Sequence, residues 1–158
     1  WLKSFVGMSA ETGEGLMGRY RLLGKLMEHL AAKRGTIEET QEAASALNRY
    51  ADIEPTLREK LKEELKASIE AEYRRQRGQF LTGLQWWLRD VWLAALRQGR
   101  ELLHFQDWAD TSETVGKRLT PGQALENLQS IEATQRLLET TNVQEALALE
   151  VGLLKLKL

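Results

Sequence analysis

The stretch Phe80-Leu81-Thr82-Gly83-Leu84-Gln85-Trp86-Trp87-Leu88-Arg89-Asp90-Val91-Trp92-Leu93-Ala94-Ala95-Leu96 decides how the rest of the chain is read. Three of the five tryptophans fall inside it, and apolar residues recur on nearly every side of a helical wheel. A surface helix carries one apolar stripe; a helix apolar all round belongs at the centre of a bundle. Only Arg89-Asp90 interrupts the pattern. Adjacent helical residues point about 100° apart, so Trp86 and Trp87 cannot share one contact surface. One of them faces the core with Leu84, Leu88 and Val91. The other, with Leu93, needs a second surface, either more core or another subunit.

Outward from this segment, helical spacing dominates and no run alternates apolar and polar residues as a strand would. Toward the N-terminus, Leu57, Leu61, Leu65, Ile69 and Tyr73 form a ridge at spacing four, with Lys and Glu on the other faces. Gly78 either kinks one long helix or separates two. From Gly15 to Ala32 the apolar positions Leu16, Tyr20, Leu23, Leu26, Met27 and Leu30 predict an amphipathic helix that stops at Gly35. Thr36-Ile37-Glu38-Glu39 has the form of a capping box opening the next helix, which carries Ala43, Ala44, Leu47 and Tyr50 before Pro55. The segment before about Ser9 gives no clear pattern.

Toward the C-terminus, Gly99 is the natural stop, and Leu102 to Asp110 reads as an irregular connection containing Trp108. A short helix spans Thr111 to Leu119. Thr120-Pro121-Gly122-Gln123 is a helix start with an N-cap threonine, proline at the first helical position and glutamine three residues on. Its helix buries Ala124, Leu128, Ile131 and Leu138. Asn142-Val143-Gln144-Glu145 reads as a further capping box before a last helix running to the C-terminus. The prediction is an all-α, single helical bundle of about six helices over residues 1–158.

The 158 residues suffice for one domain with a real core. Hydrophobic content of 42% and charged content of 28% are those of a folded protein rather than a disordered one. A formal net charge of -1 gives no overall attraction to nucleic acid. The absence of cysteine excludes disulfides and thiolate chemistry and fits a cytoplasmic setting. No apolar run approaches the roughly 20 residues of a membrane span. The opening Trp1-Leu2-Lys3 reads as the start of a fragment of a longer chain.

Few residues have the spacing that chemistry needs. Gly18 and Gly24-Lys25 are separated by five residues and followed by leucine, whereas a phosphate loop has four and a hydroxyl residue. His29 and His104 lack the partners of a metal or general-base site. Carboxylates such as Glu38-Glu39, Glu63-Glu64 and Glu70 with Glu72 alternate with Lys and Arg as on a solvated face. Arg74, Arg75 and Arg77 form the one dense basic cluster, either a phosphate or acidic-partner site or, more simply, a face paired with Glu70 and Glu72. No catalytic, cofactor-binding or metal-ligating residue is expected in this segment.

The last helix carries more apolar surface than a lone domain needs. Val143, Ala146, Leu147, Leu149, Val151, Leu153, Leu154, Leu156 and Leu158 cover over half its circumference, and Gly152 permits close approach. Such a surplus points to a partner. Trp86, Leu93, Leu149, Leu153 and Leu156 are therefore the candidate interface residues, and Arg89 and Asp90 the candidate structural charges.

Two segments carry a family resemblance. Trp87-Leu88-Arg89-Asp90-Val91 resembles the Leu-Arg-Asp-aliphatic motif of the central collar helix in bacterial DNA polymerase III clamp-loader subunits. Asn142-Val143-Gln144-Glu145-Ala146-Leu147-Ala148-Leu149-Glu150, with Leu153-Leu154 and Leu156 beyond, is similar to the same family's closing pattern of Asn, Leu-x-Leu-Glu and a leucine run. The likeness covers residues 57–158 best; it is closest to delta-prime subunits, and tau/gamma-type collars are related. It implies a collar domain that joins other clamp-loader subunits into a ring, touches DNA and the sliding clamp only indirectly, and holds no ATPase motif of its own. Arg89 and Asp90 would then hold a scaffold, each with its own partner on a neighbouring helix. The reading from another class is a helical adaptor or regulatory domain unrelated to replication.

Overall fold

A computed structural model describes residues 1–11, 15–49 and 54–158. Among the described residues seven α-helices follow in order: α1 (Leu2–Ala10), α2 (Gly15–Ala44), the single turn α3 (Ala46–Arg49), α4 (Pro55–Ala95), α5 (Ala109–Gly116), α6 (Pro121–Thr140) and α7 (Glu145–Leu154). Two 3₁₀ turns, Arg100–Leu102 and Gln106–Trp108, fill the connection between α4 and α5. No strand occurs among the described residues. The all-α expectation holds, with six helices longer than one turn.

One glycine behaves differently from expectation, and another decides between two readings. Gly35 does not end a helix; α2 runs through it to Ala44. The Thr36/Glu39 capping box is not formed, because the Thr36 hydroxyl donates to the Ala32 carbonyl at 3.1 Å, one turn back in the same helix. An interior glycine costs about 1 kcal/mol, and burial of Leu30 and Ile37 on either side offsets it. Gly78 likewise sits inside α4, a single helix of 41 residues. Tyr50 lies outside the described residues.

The helix stops and starts are also instructive. α4 ends before Gly99, with Arg97 at φ 58° in the left-handed region. Its N–H bonds the Ala94 carbonyl at 2.9 Å and the Gln98 N–H bonds the Leu93 carbonyl at 3.0 Å. This is a Schellman stop built without glycine. At α6 the capping box forms as read: Thr120 Oγ1 accepts from the Gln123 N–H at 3.2 Å, and Gln123 Oε1 accepts from the Thr120 N–H at 3.0 Å. The one drawn at Asn142 does not form; Gln144 is the N-cap of α7 and makes no side-chain bond there. Nor does α7 reach the C-terminus. The tail beyond Leu154 is held by Asn127, whose side chain donates to the Lys157 carbonyl at 2.5 Å and accepts from the Lys157 N–H at 2.8 Å.

The chain forms two compact units, one of Trp1–Met27 with Phe80–Leu158 and one of Glu28–Gln79. Helices α2 and α4 each contribute residues to both. The first unit is built on Leu81, Leu84, Trp87, Leu88 and Val91 of α4, packed with Phe5, Leu26, Val115, Ile131, Leu149 and Leu156, all buried. The Phe5 ring meets Trp87 edge-on, with centroids 5.6 Å apart. Arg118 closes the end of α1 by donating to the Ser9 and Ala10 carbonyls. Arg19 does the same for α7 at the Leu154 carbonyl, at 2.9 Å.

The second unit has a thin core. Leu30, Ile37, Tyr73 and Arg77 are its buried side chains among the described residues. Arg34 lies 5.0 Å over the Tyr73 ring and pairs with Glu70 at 3.2 Å. The Ser68 hydroxyl donates to Gln41 Oε1 at 3.0 Å. Of the leucine ridge on α4, Leu57 is exposed and Leu61, Leu65 and Ile69 half-buried, while Tyr73 is buried.

Candidate functional site

Arg89 and Asp90 serve the connection after α4 rather than two neighbouring helices. Asp90 is wholly buried. Its Oδ1 accepts the His104 N–H at 2.9 Å and its Oδ2 the Phe105 N–H at 2.8 Å. Arg89 Nη1 lies 3.3 Å from Asp90 Oδ1 and donates to the Leu102 carbonyl, also at 3.3 Å. A buried carboxylate is tolerable only when paired and hydrogen-bonded. Here two backbone amides and one guanidinium supply this, and the two side chains together clasp residues 102–105.

The clasp fixes a row of rings. His104 stacks on Trp86, with centroids 4.8 Å apart and planes 22° from parallel. It meets Phe105 edge-on, and Phe105 stacks on Trp108 at 4.6 Å. The Arg89 guanidinium also lies over Trp86, 5.5 Å from its centroid. The choice between the adjacent tryptophans is thereby settled: Trp87 is wholly buried and Trp86 is 42% exposed. Leu93 is half-buried.

The leucines named for a partner are placed otherwise. Leu149, Leu153 and Leu156 are buried in the chain's own core, so they present no surface to another molecule. α7 has two apolar stripes; Leu149 and Leu153 lie on the inner one, and Leu156 follows in the tail beyond the helix. The outer stripe is Leu147 and Val151, continued by Val143 in the connection before α7; all three belong to the apolar surplus read from the sequence but were not among the candidate interface residues, and neither was Leu137 on α6. Val143, Leu147, Val151 and Leu137 are exposed by 41%, 56%, 46% and 40% respectively. Gly152 was the signal that separates the stripes. A Cβ on it would lie 2.3 Å from Thr134 Oγ1, so it marks where α7 presses on α6. Leu149, Leu153 and Leu156 share that side.

The outer stripe and α6 enclose an open groove of about 320 Å³. Ala133, Leu137, Val143, Leu147 and Val151 supply its apolar wall, Ser130 and Thr134 its hydroxyls, and Lys155 stands at one end. No carboxylate lines it among the described residues.

The remaining polar candidates are surface pairs. Arg74 bonds Glu70 at 3.0 Å, and Arg75 grips Glu72 through Nη2 at 2.6 Å. The Arg75 guanidinium, aided by the Gln76 amide, holds the Glu72 carboxyl at about 2. Arg77 is buried and lies over the Tyr73 ring. Burial holds His29 below its ordinary range. No cluster of three metal-ligating side chains occurs among the described residues, and no described helix is long and apolar enough to cross a membrane.

Compared with models of protein families, with curated proteins and with solved structures, the chain matches none.

Proposed function

We propose that this chain is a scaffold domain that assembles with other helical subunits, of the type that forms the collar of bacterial clamp loaders and most like delta-prime. The observation that carries the protein-interaction reading is the exposed apolar set Leu137, Val143, Leu147 and Val151 beside the buried Leu149, Leu153 and Leu156. What supports the clamp-loader reading is sequence. The Trp87–Val91 and Asn142–Glu150 segments resemble that family's motifs, and both lie in the unit of residues 1–27 and 80–158. In this reading the partners are the other clamp-loader subunits, and DNA and the sliding clamp are reached only through them. The domain itself performs no catalysis and works in the cytoplasm. Coexpression with the remaining clamp-loader subunits of the same genome, followed by native mass measurement, tests it. Incorporation at one defined stoichiometry is the expected result. Failure to co-purify overturns it and leaves a helical adaptor outside replication as the reading of the same surface.

A further inference from the structure

The groove between α6 and α7 has a chemistry that narrows what it holds. Its walls are apolar and its hydroxyls are largely committed: Thr134 Oγ1 donates to the Ser130 carbonyl at 2.8 Å and Ser130 Oγ to the Gly152 carbonyl at 3.4 Å. A bound strand would need backbone partners, and both helices have spent theirs internally. An amphipathic helix brings its own satisfied backbone and needs only an apolar stripe. The span from Gln144 to Lys155 is roughly 16 Å at 1.5 Å per residue, room for three helical turns. Charge decides the rest. Lys157 is paired with Glu126 at 2.8 Å, but the side chain of Lys155, at the end of the groove, makes no hydrogen bond or ion pair among the described residues. With no lining carboxylate, the groove carries one uncompensated positive charge.

We propose that the α6/α7 groove receives one amphipathic helix of a neighbouring polypeptide, its apolar stripe on Leu137, Leu147 and Val151 and a carboxylate set against Lys155. This rests on the scaffold reading and names the partner's chemistry. Two synthetic helical peptides of about three turns, with the same leucine stripe and either glutamate or lysine at one end, serve as probes. Because the chain has no cysteine, Leu147→Cys carries a single spin label on the exposed stripe. The glutamate peptide should immobilise the label and bind more tightly than the lysine peptide. Lys155→Glu should reverse that preference, changing each affinity about fivefold, and Val151→Asp should weaken both peptides about tenfold. Circular dichroism of each variant establishes that it is folded. A mobile label with both peptides, or equal binding unaffected by Lys155→Glu, overturns the proposal. Either result can occur while the clamp-loader subunits still co-purify, so the two readings fail separately.

Discussion

At the scale of single residues, Asp90 does the most for the least surface. Asn at this position keeps one oxygen but turns an amide NH₂ toward a second N–H donor, and it loses the charge that strengthens both bonds. Asp90→Asn should therefore destabilise the fold by about 2 kcal/mol, measured by denaturant unfolding. The near-ultraviolet signal of Trp86 should weaken with it as His104 loses its support. Ser112 makes the opposite case. Its hydroxyl is buried and has no hydrogen-bond partner among the described residues, so Ser112→Ala should be neutral or stabilising by up to about 1 kcal/mol in the same assay. The sequence made Arg89-Asp90 visible as the only charges in the apolar segment Phe80–Leu96. It did not show their partners, because those are backbone groups of residues 102–105, and backbone groups carry no sequence signal.

At the scale of elements, two glycines set how closely helices pack. A Cβ on Gly152 would meet a side-chain hydroxyl, whereas one on Gly116 would lie 2.9 Å from both the Ala94 Cβ and the Ala95 backbone nitrogen. Side chains yield more readily than backbone. Gly116→Ala should thus lower the melting temperature more than Gly152→Ala, and Thr134→Ala should partly restore the latter only. Helix-surface ion pairs set the response to acid. Glu72, ordinarily near 4.5, is held at about 2 by Arg75; Glu113 is lowered by Arg100. A carboxyl lowered in the folded state contributes its full stabilisation above its ordinary value and loses it as pH falls toward the folded one. Stability should therefore decline on acidification from about pH 4.5 to about 2, and Glu72→Gln should flatten that slope in denaturation measured across the range. Elements were legible where local chemistry acts alone, as at Thr120-Pro121-Gly122-Gln123. They were misread at Gly35, where the packing of Leu30 and Ile37 overrides an intrinsic stop signal, and at Arg97, which takes a left-handed turn that sequence assigns to glycine.

At the scale of the whole molecule, the two units differ in how much they bury. Residues 28–79 contribute only Leu30, Ile37, Tyr73 and Arg77 to the buried set among the described residues, whereas the other unit holds every remaining buried side chain. Local opening is easiest where few apolar contacts must be broken. Amide exchange should be faster across 28–79 than across α6 and the 80–95 part of α4, and a uniform rate in all of them would contradict this division. That the fold is all-α was readable from periodicity along the whole chain. Which stripe of α7 faces inward was marked only by Gly152, because both stripes are apolar and its close approach to Thr134 is a tertiary contact. The clasp on residues 102–105 has one more consequence, for how this protein can diverge. Asp90 holds the amides of positions 104 and 105, and Arg89 the carbonyl of 102, so the path of the connection does not depend on which side chains stand there. Those positions are free to drift, and to acquire new recognition, on a backbone that stays put. Proline at 104 or 105 is the exception, since it has no N–H to give.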